Sequence, residues 1–322
     1  MQDWADVDWL AGAHRWIDLR LSELGTARTG PIEQPHLRPW ATVLRVPTPN
    51  GPVWFKANSD QQAYEAGVVE LLTRTRPDAV PGLIAVDRDR GWMLMADGGT
   101  RLREVVEADR DLSRWLDVLP RYAGLQIDLA PERDALLACG APDHGLAALP
   151  RLYDRLLGVA DDLTPDDLGR LRELAPWVAE SCAELAALGI PETIQHDDLH
   201  DGQVFVRGDR YLFFDWGDAC VGHPFFTMSV TLEGVLAWGL DDVEGSVDTA
   251  PFRDAYLGPF TAYAPRAELE AGFALALRLG WICRALNYQA AREDLGRPYP
   301  EAYRDAVAVR LRMFLAGLTA VD

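Results

Sequence analysis

The sequence predicts an α+β protein of two parts, a small sheet-rich lobe over residues 1–97 and a larger, mainly helical lobe over residues 98–322. Three observations carry this expectation. Short apolar runs separated by turn signals fill residues 41–96, the tripeptide Asp97-Gly98-Gly99 breaks the chain, and beyond it almost everything has helical periodicity except residues 194–216. A doubly wound sheet would instead alternate strands with helices along the whole chain.

Residues 6–24 carry Trp9, Ala13, Trp16, Ile17 and Leu24 at helical spacing, with Gly25 as the stop. Pro31, Pro35 and Pro39 interrupt an extended region. Residues 41–46 and 53–57 read as two strands joined by Thr48-Pro49-Asn50-Gly51-Pro52, whose Asn-Gly pair is a hairpin signal. Helical spacing resumes over 61–72, and two short strands follow at 83–86 and 91–96 around the turn Asp87-Arg88-Asp89-Arg90. In the second part, Leu112, Trp115, Leu116, Leu119, Tyr122 and Ile127 outline one amphipathic helix. Further helices are expected near 145–158, 165–188, 224–239, 250–262, 266–292 and 300–318. No internal repeat or low-complexity segment interrupts this layout.

At 322 residues, with 48% hydrophobic and 25% charged residues, the chain can bury a large core. Its 31 basic against 50 acidic residues give a net charge of −19, which argues against nucleic acid or an anionic membrane as partner. An acidic surface suits cationic small molecules and serves solubility equally well. Cys139, Cys182, Cys220 and Cys283 have no metal-ligand spacing and read as small, reduced core residues. The acidic start and the lack of an apolar run of membrane-spanning length predict neither signal peptide nor transmembrane helix, hence a cytoplasmic protein.

The chemistry concentrates in Gln195-His196-Asp197-Asp198-Leu199-His200-Asp201-Gly202-Gln203 and in Leu212-Phe213-Phe214-Asp215-Trp216. Asp198 precedes the amide side chain of Gln203 by five residues, and Asp215 ends an apolar run. Phosphoryl transfer needs a group that orients and deprotonates the acceptor hydroxyl, and cations that neutralise phosphates. A carboxylate, an amide oxygen and a second carboxylate meet both needs, because magnesium takes hard oxygen ligands. Earlier in the chain, Lys56 alternates with Trp54 and Asn58 on one strand face. Glu65 follows on the next helix within the apolar stripe of Val68, Val69 and Leu72, where an acid needs a buried partner. Glu70 competes for Lys56, but it faces the other side and has Arg74 at i+4. A merely solvated Lys56 is the plain alternative.

The order Lys56, Glu65, His196-x-Asp198-Leu199-His200, Gln203 and Asp215-Trp216 resembles the aminoglycoside phosphotransferase family, within the protein-kinase-like fold, which also includes choline-, sugar- and macrolide-phosphorylating enzymes. The resemblance implies a bilobal fold and transfer of the γ-phosphate of ATP or GTP, with Mg2+, to a small-molecule hydroxyl acceptor. It implies that Asp198 orients the acceptor, that Asp215 and Gln203 hold magnesium, with Asp218 as a helper, and that Lys56 and Glu65 form the phosphate-positioning pair. Residues 95–98, including Met95 and Asp97, would meet the nucleobase through their backbone, and His196 and His200 would brace the loop. Three positions depart from the family. Gln203 stands for asparagine, displacing its amide by up to ~1.5 Å. Asp197 stands where glycine is common, and no G-x-G-x-x-G precedes the hairpin, leaving residues 37–40 to cover the phosphates.

The implied acceptor is an antibiotic such as an aminoglycoside, or alternatively a sugar or amino alcohol of primary metabolism. A catalytically degenerate kinase-fold binding protein is the alternative of another class, and a metal hydrolase using His196, Asp198 and His200 is a further one. Four features have plain readings beside sharper ones. The 11 tryptophans, Trp92, Trp177, Trp238 and Trp281 among them, read as core before they read as a ligand cage. The acidic run 161–167 reads as a loop and helix start. Arg284, Asn287 and Tyr288 border the acceptor site by fold analogy or form a solvated face. Asp241, Asp242, Glu244 and Asp248 receive amines or form a solvated loop.

Overall fold

The structure is a computed structural model that describes residues 3–296 and 300–319, so the outer bounds expected for the two parts, residues 1 and 322, lie outside the described residues. Asp6 Oδ1 accepts from the backbone N–H of Trp9 at 2.8 Å and so caps helix α1 (Val7–Glu23). The buried face of α1, with Ala13, Trp16, Ile17 and Leu21, lies on a five-stranded antiparallel sheet. Its strands β1 (Glu33–Leu37), β2 (Ala41–Thr48), β3 (Gly51–Asn58), β4 (Leu83–Asp87) and β5 (Trp92–Ala96) run in the order β1-β2-β3-β5-β4. The sequence reading lacked β1, an edge strand that tolerates Pro35 because its free side makes no ladder bonds. The hairpin turn falls one residue earlier than the Asn-Gly signal implies. Thr48 pairs with Gly51, leaving Pro49 and Asn50 at the tip, while Gly51 (φ 103) opens β3.

Pleating then assigns the faces. Phe55 and Ala57 join Leu44, Val46, Trp92 and Leu94 beneath α1, and Lys56 and Asn58 take the opposite face. Helix α2 (Glu65–Thr75) serves that side. Its Ala66, Val68, Val69, Leu71 and Leu72 merge with Met93 into the main core of the helical part.

Two glycines make the passage between the parts. A Cβ on Gly98 would lie 2.2 Å from the Phe205 ring, and one on Gly99 (φ 104) 2.7 Å from the Val206 carbonyl. Strand β6 (Thr100–Arg101) follows at once. The helical part contains α3 (Leu102–Asp109), α4 (Trp115–Leu129), α5 (Arg133–Ala138), α6 (Leu149–Val159), α7 (Pro165–Glu173) and α8 (Ala175–Ala187). Two small sheets then deliver the site. Strand β7 (Thr193–Gln195) pairs with β10 (Cys220–Gly222), and β8 (Val204–Arg207) lies between β6 and β9 (Arg210–Phe213). Helices α9 (Ala250–Leu257), α10 (Arg266–Leu295) and α11 (Ala306–Thr319) complete the chain.

Two helix expectations are corrected. Residues 165–188 form two helices, because Pro176 opens α8 just after Leu174 ends α7. Residues 224–239 are not an α-helix but a 3-10 turn, a π-helical stretch (Ser229–Val235) and a second 3-10 turn. The cause is tertiary. At Gly280 the backbone of α10 lies so close that a Cβ would be 2.0 Å from Ser229 Oγ and 2.3 Å from the Phe226 carbonyl. Ser229 Oγ in turn donates to the Leu277 carbonyl at 2.6 Å.

The plain reading of the acidic run matches the structure, and that of the tryptophans holds in part, since Trp177 and Trp238 are half-buried and Trp40 lines a cavity. Trp92 and Trp281 are core, and Thr164 caps α7 by accepting from Asp167 N at 3.1 Å. All four cysteines are free, and no helix among the described residues is long and apolar enough to cross a membrane.

Candidate functional site

Strand β3 places Lys56 at the bottom of the cleft, where burial would disfavour its charge. Two carboxylates overcome that. Lys56 Nζ donates to Glu65 Oε1 at 2.8 Å and to Asp215 Oδ1 at 2.5 Å, which pushes the ammonium above its ordinary range. Glu65 is almost fully buried and has further donors, Asn58 Nδ2 at 2.6 Å and the backbone N–H of Trp216 at 2.9 Å. One α2 carboxylate thus ties β3 to the residue after Asp215. Burial raises the Glu65 pKa, against Lys56. Glu70 takes Arg88 at 2.6 Å rather than the expected Arg74, because the β4–β5 turn swings Arg88 onto α2 while Arg74 reaches Glu132.

Asp215 has φ 66, a left-handed conformation that aspartate tolerates better than most residues. Burial would raise its carboxyl pKa, but Lys56 and the hydrogen bonds from Lys56 and Gln203 Nε2 (2.9 Å to Oδ2) hold it well below the ordinary range. The longer Gln203 side chain therefore still reaches Asp215. Two residues on, Gly217 offers its carbonyl to the Tyr64 hydroxyl at 2.6 Å.

The loop between β7 and the short 3-10 turn Asp201–Gln203 carries Asp198. Its two histidines are turned to the backbone. His196 Nε2 bonds the Phe214 carbonyl at 2.8 Å, and His200 Nδ1 accepts from Gly202 N at 2.9 Å. Behind the loop, His196 N donates to the buried Tyr122 hydroxyl at 3.0 Å. Asp197 adopts φ 60 and is fully buried, and burial pushes its carboxyl well up. Burial likewise raises Asp198, with Arg284 pulling it back and Asp218 adding to the rise. A carboxylate raised this way is a stronger base.

Lys56, Asp198, Gln203 and Asp215 all line one cavity of about 270 Å³. Asp215 keeps 42% of its side chain exposed there and Asp198 26%. Met95 and Asp97 do not line it. Met95 is a sheet residue opposite Trp54. The Asp97 carboxylate accepts from Trp54 Nε1 at 2.8 Å and from Gly99 N at 2.9 Å, and its carbonyl accepts from Arg207 at 3.3 Å. The acidic residues 241, 242, 244 and 248 are also absent from the lining, and Asp241 pairs with Arg110 at 2.5 Å.

Of the lining residues, Gln62 and Tyr303 were not singled out from the sequence. Trp40, on the β1–β2 turn expected to cover phosphates, meets Tyr303 edge-on at 5.2 Å between ring centroids, and Tyr303 meets Tyr288 at 5.8 Å. Gln62 donates to Asp218 Oδ1 at 3.1 Å. Arg284 is buried and donates to both Asp198 and Asp218 at 2.6 Å, so the solvated-face reading fails for it. Sequence reasoning sets Arg284, Asn287 and Tyr288 beside the acceptor site by fold analogy, and they fall at i, i+3 and i+4 on one stripe of α10.

Oxygen donors dominate the cavity, with Asp215, Asp218, Asp198 and the Gln203 amide. Among the described residues no group of three His, Cys, Asp or Glu could hold a metal unaided. That set fits magnesium, which uses one or two carboxylates and completes its shell with phosphates and water. It does not fit zinc, whose sites draw on histidine and cysteine.

The sequence matches the family model described as APH, the phosphotransferase enzyme family, over residues 19–269. No curated protein matches it. Among solved structures it is similar to an ethanolamine kinase from Plasmodium vivax, with 10% identity, 96% of this chain and 89% of that chain covered, and a TM-score of 0.64. It is similar to choline kinase LicA from Streptococcus pneumoniae, with 13% identity, 96% and 99% covered, and a TM-score of 0.60. It is also similar to the GDP and kanamycin complex of APH(2")-IIia, with 14% identity, 95% and 99% covered, and a TM-score of 0.58. Identities this low speak for the protein-kinase-like fold alone. The family match over most of the chain, laid on that fold, makes this protein a member of the APH phosphotransferase enzyme family.

Proposed function

We propose that this protein transfers the γ-phosphoryl group of ATP or GTP to a hydroxyl of a small molecule, with Asp198 as the catalytic base. The observation that carries the reading is the convergence of Asp198, Asp215, Gln203 and Lys56, the last held from behind by Glu65, on one cavity. Asp198 accepts the proton of the acceptor hydroxyl as its oxygen bonds to phosphorus, and the bond to the β-phosphate oxygen breaks to release the nucleoside diphosphate. Lys56, already committed to Glu65, steadies the phosphates. Asp215 and Gln203 would hold magnesium, which when bound neutralises the phosphate charge. The β1–β2 turn, through Trp40, would cover the phosphates, and the backbone of residues 95–98, outside the cavity lining, would receive the base.

Two acceptor classes compete. An aminoglycoside-like antibiotic is favoured by charge, since Asp198, Asp215 and Asp218 outnumber Lys56 and Arg284 on the cavity wall. A sugar or amino alcohol is supported by the likeness to an ethanolamine kinase and a choline kinase. A coupled ADP/GDP-release assay with kanamycin, a macrolide, choline, ethanolamine and simple sugars separates the two. Asp198→Ala is expected to lower turnover by ~10²–10⁴-fold with the accepted substrate. Turnover near wild type in that variant would remove Asp198 from its role. Nucleotide binding without turnover on any acceptor would favour the degenerate binding protein.

A further inference from the structure

We propose that Arg284 is the positioning residue of this site, holding one carboxylate oxygen of Asp198 so that the other is left to face the cavity. The inference rests on the reading of Asp198 as the base. Arg284 Nη2 donates to Asp198 Oδ1 at 2.6 Å and Nη1 to Asp218 Oδ2 at 2.6 Å, with Asp197 Oδ2 3.9 Å from Nη1. Two donors of one planar guanidinium thus fix two carboxylates at once in a rigid fork, a geometry that a compact ammonium on a flexible stem does not hold. The guanidinium cannot drift, because it lies 4.7 Å from the centre of the Tyr288 ring and is only 8% exposed.

The helix beneath it is pinned on both sides. One turn earlier, Gly280 lets α10 close onto residues 226–229. One turn later, Asn287 Nδ2 donates to Asp197 Oδ2 at 2.5 Å and to the Asp218 carbonyl at 2.8 Å. Among the described residues Asp198 Oδ2 has His200 Nε2 as its partner, at 3.8 Å, which is no hydrogen bond. That oxygen is the one available to an acceptor hydroxyl. The arrangement mirrors the other half of the cleft, where Lys56 holds Asp215 Oδ1. Each working carboxylate has its own buried cation, one from the sheet part and one from the helical part. A base displaced by about 1 Å loses on the order of 10²-fold in rate, so fixing it is a kinetic function and not only a structural one.

The test uses the full chain with Mg-ATP or Mg-GTP and water as the acceptor, read as ADP or GDP release. Arg284→Ala is expected to lower kcat by ~10²-fold with the nucleotide KM within about twofold, and free guanidinium ion to restore part of the loss in that variant only. Arg284→Lys keeps the charge and guards against misfolding. It should melt near wild type and still lose kcat by ~10-fold, because the fork is gone. Wild-type kcat in the lysine variant, or a loss confined to KM, overturns the proposal. Asp198→Asn separates the two claims. If it keeps its turnover the base reading fails, whereas if it is dead and the Arg284 variants are not, only the positioning role falls.

Discussion

Asp215 combines a left-handed backbone with Lys56 on one carboxylate oxygen and Gln203 on the other, and both features bear on what its loss would do. Alanine at φ 66 costs ~1 kcal/mol in backbone energy that asparagine largely avoids. Asp215→Ala and Asp215→Asn are both expected to weaken Mg-dependent nucleotide binding by more than ~10-fold, with the asparagine variant melting higher. Calorimetric titration with Mg-nucleotide checks this, and unchanged affinity in either variant would dismiss the metal assignment. The candidate site was legible at this scale wherever spacing along the chain mirrors spacing in space. The five-residue step from Asp198 to Gln203 stays within one loop, and Glu65 stood out as an acid in an apolar stripe. Arg284 was not legible as a partner of Asp198, because 86 residues separate them and helical periodicity does not say which loop a helix face will meet.

Helix α10 shows what an element contributes beyond its own hydrogen bonds. It is 30 residues long, presents Arg284 and Asn287 to the loop, and is seated by the bare backbone of Gly280. Gly280→Ala is expected to cost ~1–3 kcal/mol of stability, since Ser229 and Phe226 must retreat from the new methyl. Urea unfolding checks this, and an unchanged midpoint would show that the π-helical stretch yields freely. The same contact explains why residues 224–239 misled the sequence reading. Their apolar spacing fits an α-helix, yet tertiary packing wound them otherwise. By contrast α1, α2 and the central hairpin were legible, because each has its own capping residue, amphipathic face or turn signal.

Across the whole molecule, buried histidines couple stability to pH. His223 is fully buried and burial lowers its pKa to about 3, while burial lowers that of His144 to about 4 despite Asp143. Both folded values lie below the ordinary histidine range, so the unfolded chain takes up protons first as the pH falls. Their contribution is complete above pH ~6.5 and is lost below it, at ~1.4 kcal/mol per pH unit for each histidine. The raised carboxyls of Asp197, Asp198 and Glu65 act in the opposite sense, so the test is comparative: between pH 6.5 and 4.5 the urea-unfolding free energy should fall more, or rise less, in the wild type than in His223→Asn. Equal slopes in the two proteins would contradict the burial of His223. The layout of an antiparallel-sheet N-terminal part and a helical C-terminal part was legible as a change from strand to helix spacing along the chain. The two cores were not. The sheet's α1 face forms a separate cluster, while α2 belongs to the core of the helical part, since period-two alternation gives every strand two faces without naming their occupants.

The edge-on meeting of Trp40 with Tyr303 joins the sheet part to the helical part. A ring pair of this kind contributes ~0.5–1.5 kcal/mol beyond the area it covers, equivalent to a population ratio of roughly two to thirteen. Parting that one pair therefore costs little beside the Lys56–Asp215 and Gln62–Asp218 bonds that also run from the sheet part to the helical part.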